Sequence, residues 1–194
     1  YAGRLAAEKG VDVILRAFAI ARQALPAGAI HLVIAGGGPL EADVRASASS
    51  DMSFLGYLDR ERSLPELYAS CDAFLFSSTT ETLGLVVLEA MASGIPVVAT
   101  PAGGVADHLR DEENGLTFPP RDASAMAAQM IRLAQDHPLA ARLGAGARRT
   151  AESLSWELEY DRLDISYREL LDAPALVKEG ERRGAVASME CVTP

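Results

Sequence analysis

The chain has 194 residues, of which 49% are apolar, and a formal net charge of −9. That length suits one domain with an appendage, and the apolar fraction can fill a sizeable core. The acidic balance argues against a nucleic-acid-binding surface, and no apolar run approaches the ~20 residues of a membrane span. Tyr1-Ala2-Gly3-Arg4 does not read as a secretory leader. Cys71 and Cys191 stand far apart and match no metal spacing, so a cytoplasmic location and no metal are expected.

In chain order, short apolar runs alternate with helical patterns. Strands are predicted at Ala2–Leu5, His31–Ala35, Met52–Leu55, Ala73–Phe76, Pro96–Ala99 and Gly115–Phe118. Most lack polar alternation, which is the pattern of parallel strands covered on both faces. Helices are predicted at Val11–Leu25, where Val13, Ile14, Ala17, Phe18 and Ala21 form a stripe, and at Leu40–Ala48, Leu64–Ser70, Gly84–Ser93 and Val105–Arg110. Asp122 is a candidate N-cap for a helix ending near Asp136. Pro138 suits the first turn of a helix reaching Ala151, and Ser155 could cap a third, Trp156–Leu171. Residues 173–194 read as a mobile tail. The alternation predicts an α/β fold, a Rossmann-like doubly wound parallel sheet followed by C-terminal helices. Ligands in such sheets bind beyond the carboxyl ends of the strands, which directs attention to the loops after Leu5, Ala35, Leu55, Phe76 and Ala99.

Glu81 and Glu89 are the most informative residues. From Leu85 to Ala92 every residue except Glu89 is apolar, so the helix is expected to be buried on all sides. A carboxylate there costs several kcal/mol without a partner, in the protein or in a ligand. Glu81 lies just before that helix. The free amides of Leu83, Gly84 and Leu85 would favour an anion, while Glu81 and Glu89 are better suited to accepting hydrogen bonds from hydroxyls. Two hydroxyl-accepting carboxylates beside an anion-binding helix end suggest a nucleotide sugar. The competing reading makes Glu89 a structural carboxylate bonded to backbone amides.

Three further segments stand at strand-to-helix turns. Arg4 and Lys9 are either a cation pair for a diphosphate or solvated charges neighbouring Glu8. Gly36-Gly37-Gly38 is either a tight turn with close backbone packing or a ligand contact, and Glu41 interrupts any dinucleotide fingerprint. Gly103-Gly104 could offer amides to an anion. His31, His108 and His137 show no metal or triad partner.

Taken together, these segments resemble the C-terminal, donor-binding domain of retaining glycosyltransferases of the GT-B fold, the group-one or family-four class. The residues that carry the resemblance are Gly3-Arg4-Leu5 with Glu8-Lys9-Gly10, Gly36 to Leu40, Phe54-Leu55-Gly56-Tyr57, the Glu81-to-Glu89 span, Gly94 to Ala99, Gly103-Gly104, Asn114-Gly115-Leu116 and Ser155-Trp156. The resemblance implies catalytic roles for Arg4, Lys9 and Glu81. It implies that Arg4 and Lys9 hold the donor diphosphate, Glu89 the ribose and Glu81 the transferred sugar. Thr82, Leu83, Gly84 and Leu85 would line the pocket, with Gly56 and Tyr57 near the base. The donor would be a UDP- or GDP-sugar, and neither metal nor cofactor is implied. The chain begins inside a strand, so an N-terminal acceptor domain is expected to be missing, and any peripheral membrane contact would come through that half. The 194 residues alone are then expected to bind donor weakly and transfer nothing. Alternatives are a non-catalytic nucleotide-sugar-binding or scaffold module of the same fold, an epimerase or a phosphorylase.

Overall fold

A computed structural model describes residues 1–172; the expected tail, 173–194, lies outside the described residues. Tyr1–Ser153 form one compact unit, and the chain from Leu154 onward groups separately. The architecture is α/β, and all strand pairs are parallel.

The first helix, α1 (Val11–Ala24), buries Val11, Val13, Ile14, Ala17, Phe18 and Ala21, the stripe legible in the sequence. Strand β1 (Leu32–Ala35) pairs with β2 (Met52–Gly56), with α2 (Glu41–Ala46) between them in sequence. After α3 (Ser63–Ala69) come β3 (Phe74–Phe76), α4 (Leu85–Ala92), β4 (Val97–Ala99) and β5 (Gly115–Thr117). These last strands form a second set in the order β3-β4-β5. Val97, Val98 and Ala99 are fully buried, because α4 packs against β4 and so does α5 (Ala123–Gln135). Helix α1 packs along α5, and α6 (His137–Glu152) packs along α4.

The helix-end signals act as expected. The Asp122 carboxylate accepts from the Ala125 amide at 2.9 Å, and Asp136 does the same for Leu139, with Pro138 in the first turn of α6. Helix α7 (Trp156–Asp172) starts where Ser155 was expected to cap it. Two expectations change. The strand predicted at Ala2–Leu5 reduces to a single bridge from Ala2 to Ala35, although Gly3 and Leu5 still donate to the Ala35 and Gly37 carbonyls. The helix predicted at Val105–Arg110 is a 3₁₀ segment displaced to Gly103–Asp107.

The larger correction concerns α4. It is not buried on all sides: only Val87, Ala90 and Met91 are buried, while Leu85 is 42% exposed. Residues spaced three and four apart share one helix face. That face meets β3, β4 and α6, while Val86 and Leu88 are only partly buried against the core and Leu85 stays open.

Candidate functional site

Glycine lets the loops approach one another closely. A Cβ on Gly36 would lie 1.9 Å from the Gly3 carbonyl oxygen, and one on Gly38 would lie 2.5 Å from that of Leu5. The run Gly36–Gly38 is therefore a close-packing device that supports the loop carrying Arg4, the first of its two sequence readings. That loop continues through a 3₁₀ turn, Ala7–Lys9, to Gly10. There the Ser77 hydroxyl, at the end of β3, lies 3.0 Å from the Lys9 carbonyl and 2.8 Å from that of Gly10. One hydroxyl proton serves two acceptors and ties the first loop to the third.

The side chains meet accordingly. Lys9 Nζ donates to Glu81 Oε1 at 2.5 Å, and the two side chains are only 25% and 15% exposed. A carboxylate this far from water needs a counter-charge, and Lys9 supplies it. Arg4 is more open and lies 3.6 Å from Glu8. The buried Tyr1 phenol donates to the Arg4 carbonyl at 2.8 Å. Its pKa is pushed up by burial first, then by the negative charges of Glu81 and Glu8, so it remains a donor.

Glu81 is also fixed through the main chain. The Gly104 amide donates to the Glu81 carbonyl at 2.8 Å. Cβ atoms on Gly103 and Gly104 would fall 2.2 Å from the Glu81 oxygen and 2.0 Å from the Thr82 oxygen. Gly103-Gly104 was read as a possible anion site, but its role here is to let the loop after β4 lie flat against Glu81-Thr82, and the Gly104 amide is already engaged. Gly84, left-handed at φ 75°, then turns the chain into α4. Thr82, Leu83 and Leu85 are exposed around that turn.

Glu89 has the partners that an acid in an apolar helix was expected to need, but it is less buried than expected. Its side chain is 29% exposed, and its partners are side chains rather than backbone amides. Arg60, on the β2–α3 loop, pairs with Oε1, and the Tyr68 hydroxyl on α3 lies 3.3 Å from Oε2. Neither partner was singled out from the sequence. Tyr68 had a weak signal, lying four residues after Leu64 on the buried side of α3. Arg60 had none, as one of sixteen arginines. Gly56 closes β2 at φ 68° with open space around it, and Tyr57 is 83% exposed.

The structure thus joins Lys9 with Glu81 and, a helical turn or two onward, sets Glu89 against Arg60 and Tyr68. Arg4 and Tyr57 lie on loops, Tyr57 directly after Gly56 at the end of β2, and among the described residues neither side chain hydrogen-bonds to either cluster. A surface recess of about 660 Å³ lies elsewhere, lined by Arg16, Ile20 and Arg121 among others and by none of these residues. Among the described residues no three His, Cys, Asp or Glu side chains gather as metal ligands, and no helix is long and apolar enough to cross a membrane.

Residues 1–136 match the family described as Glycosyl transferases group 1. The chain belongs to that family. Among relatives of this group 1 domain, the D-inositol 3-phosphate glycosyltransferase of Thermomonospora curvata is 36% identical over 174 residues, covering 84% of this chain and 40% of the relative. The sucrose-phosphate synthase of Thermosynechococcus elongatus superposes with a TM-score of 0.75 at 31% identity, over 89% of this chain and 45% of that one. The pneumococcal O-GlcNAc transferase GtfA, solved with UDP and GlcNAc, gives a TM-score of 0.75 at 25% identity, over 88% of this chain and 35% of that one. This chain spans less than half the length of the curated relatives it matches.

Proposed function

We propose that these residues form the donor-binding half of a retaining glycosyltransferase, which moves a sugar from a nucleoside-diphosphate sugar to a hydroxyl acceptor. The observation that carries this reading is the Lys9–Glu81 contact at the mouth of α4, within a group 1 domain. The donor's diphosphate would lie between Arg4, Lys9 and the amides of Leu83, Gly84 and Leu85, which precede the first helical bond, from the Val87 amide to the Gly84 carbonyl. As the bond from the anomeric carbon to the phosphate oxygen breaks, negative charge grows on the leaving diphosphate, and these groups stabilise it. The same phosphate can accept the acceptor's proton on the face it leaves, which preserves the anomeric configuration. Glu81 would accept hydrogen bonds from the transferred sugar, and Glu89 from the ribose. Thr82, Leu83, Gly84 and Leu85 would line the pocket, and Gly56 with the open Tyr57 would flank the base. Two cations supply the charge a metal would otherwise bring, so the reading assigns no metal.

The acceptor wall would come from a further domain of the full-length protein, as would any peripheral membrane contact. The 194 residues alone would bind donor weakly and transfer nothing, and the compartment we infer is the cytoplasm. The test is a thermal-shift screen of nucleoside diphosphates and nucleotide sugars, repeated on the full-length protein. A raised melting temperature with UDP- or GDP-sugars is expected. In the full-length enzyme, Lys9→Ala and Glu89→Ala should each lower transfer by about a hundredfold, the scale of one lost charge-stabilising group. Wild-type rates in both variants would remove them from the site.

A further inference from the structure

Glu89 holds two unlike partners. Tyr68 is 3% exposed, and its ring meets Phe74 edge-on at a centroid distance of 5.5 Å, so its hydroxyl has a fixed position. Arg60 reaches the same carboxylate from an exposed loop, and its own side chain is 57% open to solvent. Among the described residues Glu89 is the one hydrogen-bond partner of the Arg60 side chain. One carboxylate oxygen is thus held from the protein interior and the other from the solvent side.

We propose that Tyr68 is a positioning residue that fixes the Glu89 carboxylate for the donor's ribose, and that Arg60 is a displaceable counter-ion that occupies Glu89 until the ribose hydroxyls replace it. The proposal rests on the donor reading above and names two residues that set its affinity. A carboxylate left to itself would sample several rotamers, and ordering it on binding costs entropy. Tyr68 removes that cost beforehand. Arg60 acts in the opposite direction, because an exposed ion pair must be given up when a hydroxyl takes its oxygen. Arg60 sits on the β2–α3 loop, three residues after Tyr57, so a base arriving there pushes on the loop that carries the counter-ion.

The two residues should shift affinity in opposite directions, which general damage to the fold would not do. In the full-length protein, UDP and GDP binding is measured by calorimetry for wild type, Glu89→Gln, Tyr68→Phe and Arg60→Met, with melting temperatures alongside. Tyr68→Phe keeps the ring and should weaken binding by about three- to tenfold, the worth of one hydrogen bond. Arg60→Met should tighten it by about two- to fivefold, the scale of one exposed ion pair. The Tyr68→Phe penalty should shrink when UDP is replaced by its 2′-deoxy analogue, because one hydroxyl that Glu89 would accept is then gone. If wild type binds and Glu89→Gln weakens binding, yet Arg60→Met weakens it or leaves it unchanged, the counter-ion role is overturned while the donor site stands. An equal Tyr68→Phe penalty for both analogues overturns the positioning role. If neither UDP nor GDP binds, or Glu89→Gln has no effect, the donor reading fails and takes this proposal with it.

Discussion

Replacing Gly104 by alanine isolates what the glycine pair contributes. The added Cβ would sit 2.0 Å from the Thr82 carbonyl oxygen and 2.6 Å from its carbon. Carbon–oxygen contacts are comfortable near ~3.5 Å, so the two loops must part by more than about 1 Å, and both contacting groups are backbone. Overpacking of this kind costs about 1–3 kcal/mol. The Gly104 amide would also lose its 2.8 Å bond to the Glu81 carbonyl, worth about 0.5–1.5 kcal/mol. The sum is about 1.5–4.5 kcal/mol. Gly28→Ala is the control: Gly28 is left-handed at φ 76° with nothing within 4 Å of a Cβ, so it carries a conformational cost of about 1–2 kcal/mol and no collision. Urea unfolding followed by circular dichroism gives both values. Gly104→Ala should also reduce nucleoside-diphosphate binding in the full-length protein by tenfold or more, on the order of the loss from a ~1 Å misplacement of a site loop. A Gly104→Ala protein within about 0.5 kcal/mol of wild type, binding UDP or GDP as before, would refute the claim that this contact positions Glu81.

Ser77→Ala removes the hydroxyl that ties Lys9 and Gly10 to β3; a loss of about 1 kcal/mol in urea unfolding is expected, since the Gly10 carbonyl keeps its bond from Val13. Asn114 is 1% exposed, accepts from the Arg110 amide and donates to the His108 carbonyl and Thr150. Asn114→Leu removes the partner of the Arg110 amide and of the His108 carbonyl, while Thr150 keeps its bond to the Gly146 carbonyl, and should cost about 2–4 kcal/mol in the same assay. His108 is buried, and burial holds its pKa below the ordinary 6.5, against a smaller upward pull from Asp107. Its folded form resists a proton that the unfolded chain accepts. Stability should therefore hold above pH 6.5 and decline as pH falls from there toward the folded-state value. His108→Leu should flatten that part of the stability–pH curve, and an unchanged slope would discount the histidine.

Much of the fold is legible because parallel strands covered on both faces read as unbroken apolar runs. Phe74–Phe76 and Val97–Ala99 fall inside the predicted segments, and the loops expected after Leu5 and Phe76 carry Lys9 and Glu81. The helix-end signals at Asp122 and Pro138 are local chemistry and act locally. Ala2–Leu5 was less legible, since its pairing depends on how Gly36–Gly38 receives it. Glycine runs stay ambiguous in a sequence because the missing Cβ serves an anion cradle and a backbone contact equally. At both runs the neighbouring carbonyls decide for contact.

The sequence alone determined the α/β alternation, the placing of Lys9 and Glu81 at strand-to-helix turns and of Glu89 within the helix that follows, and the family likeness, all consequences of local periodicity and of short motifs. Only the tertiary structure decided which face of α4 is covered and which groups answer each acid. Lys9 meets Glu81 across 72 positions and Arg60 meets Glu89 across 29. Such pairings are set by how loops and helices pack against each other, and residue spacing carries no record of them.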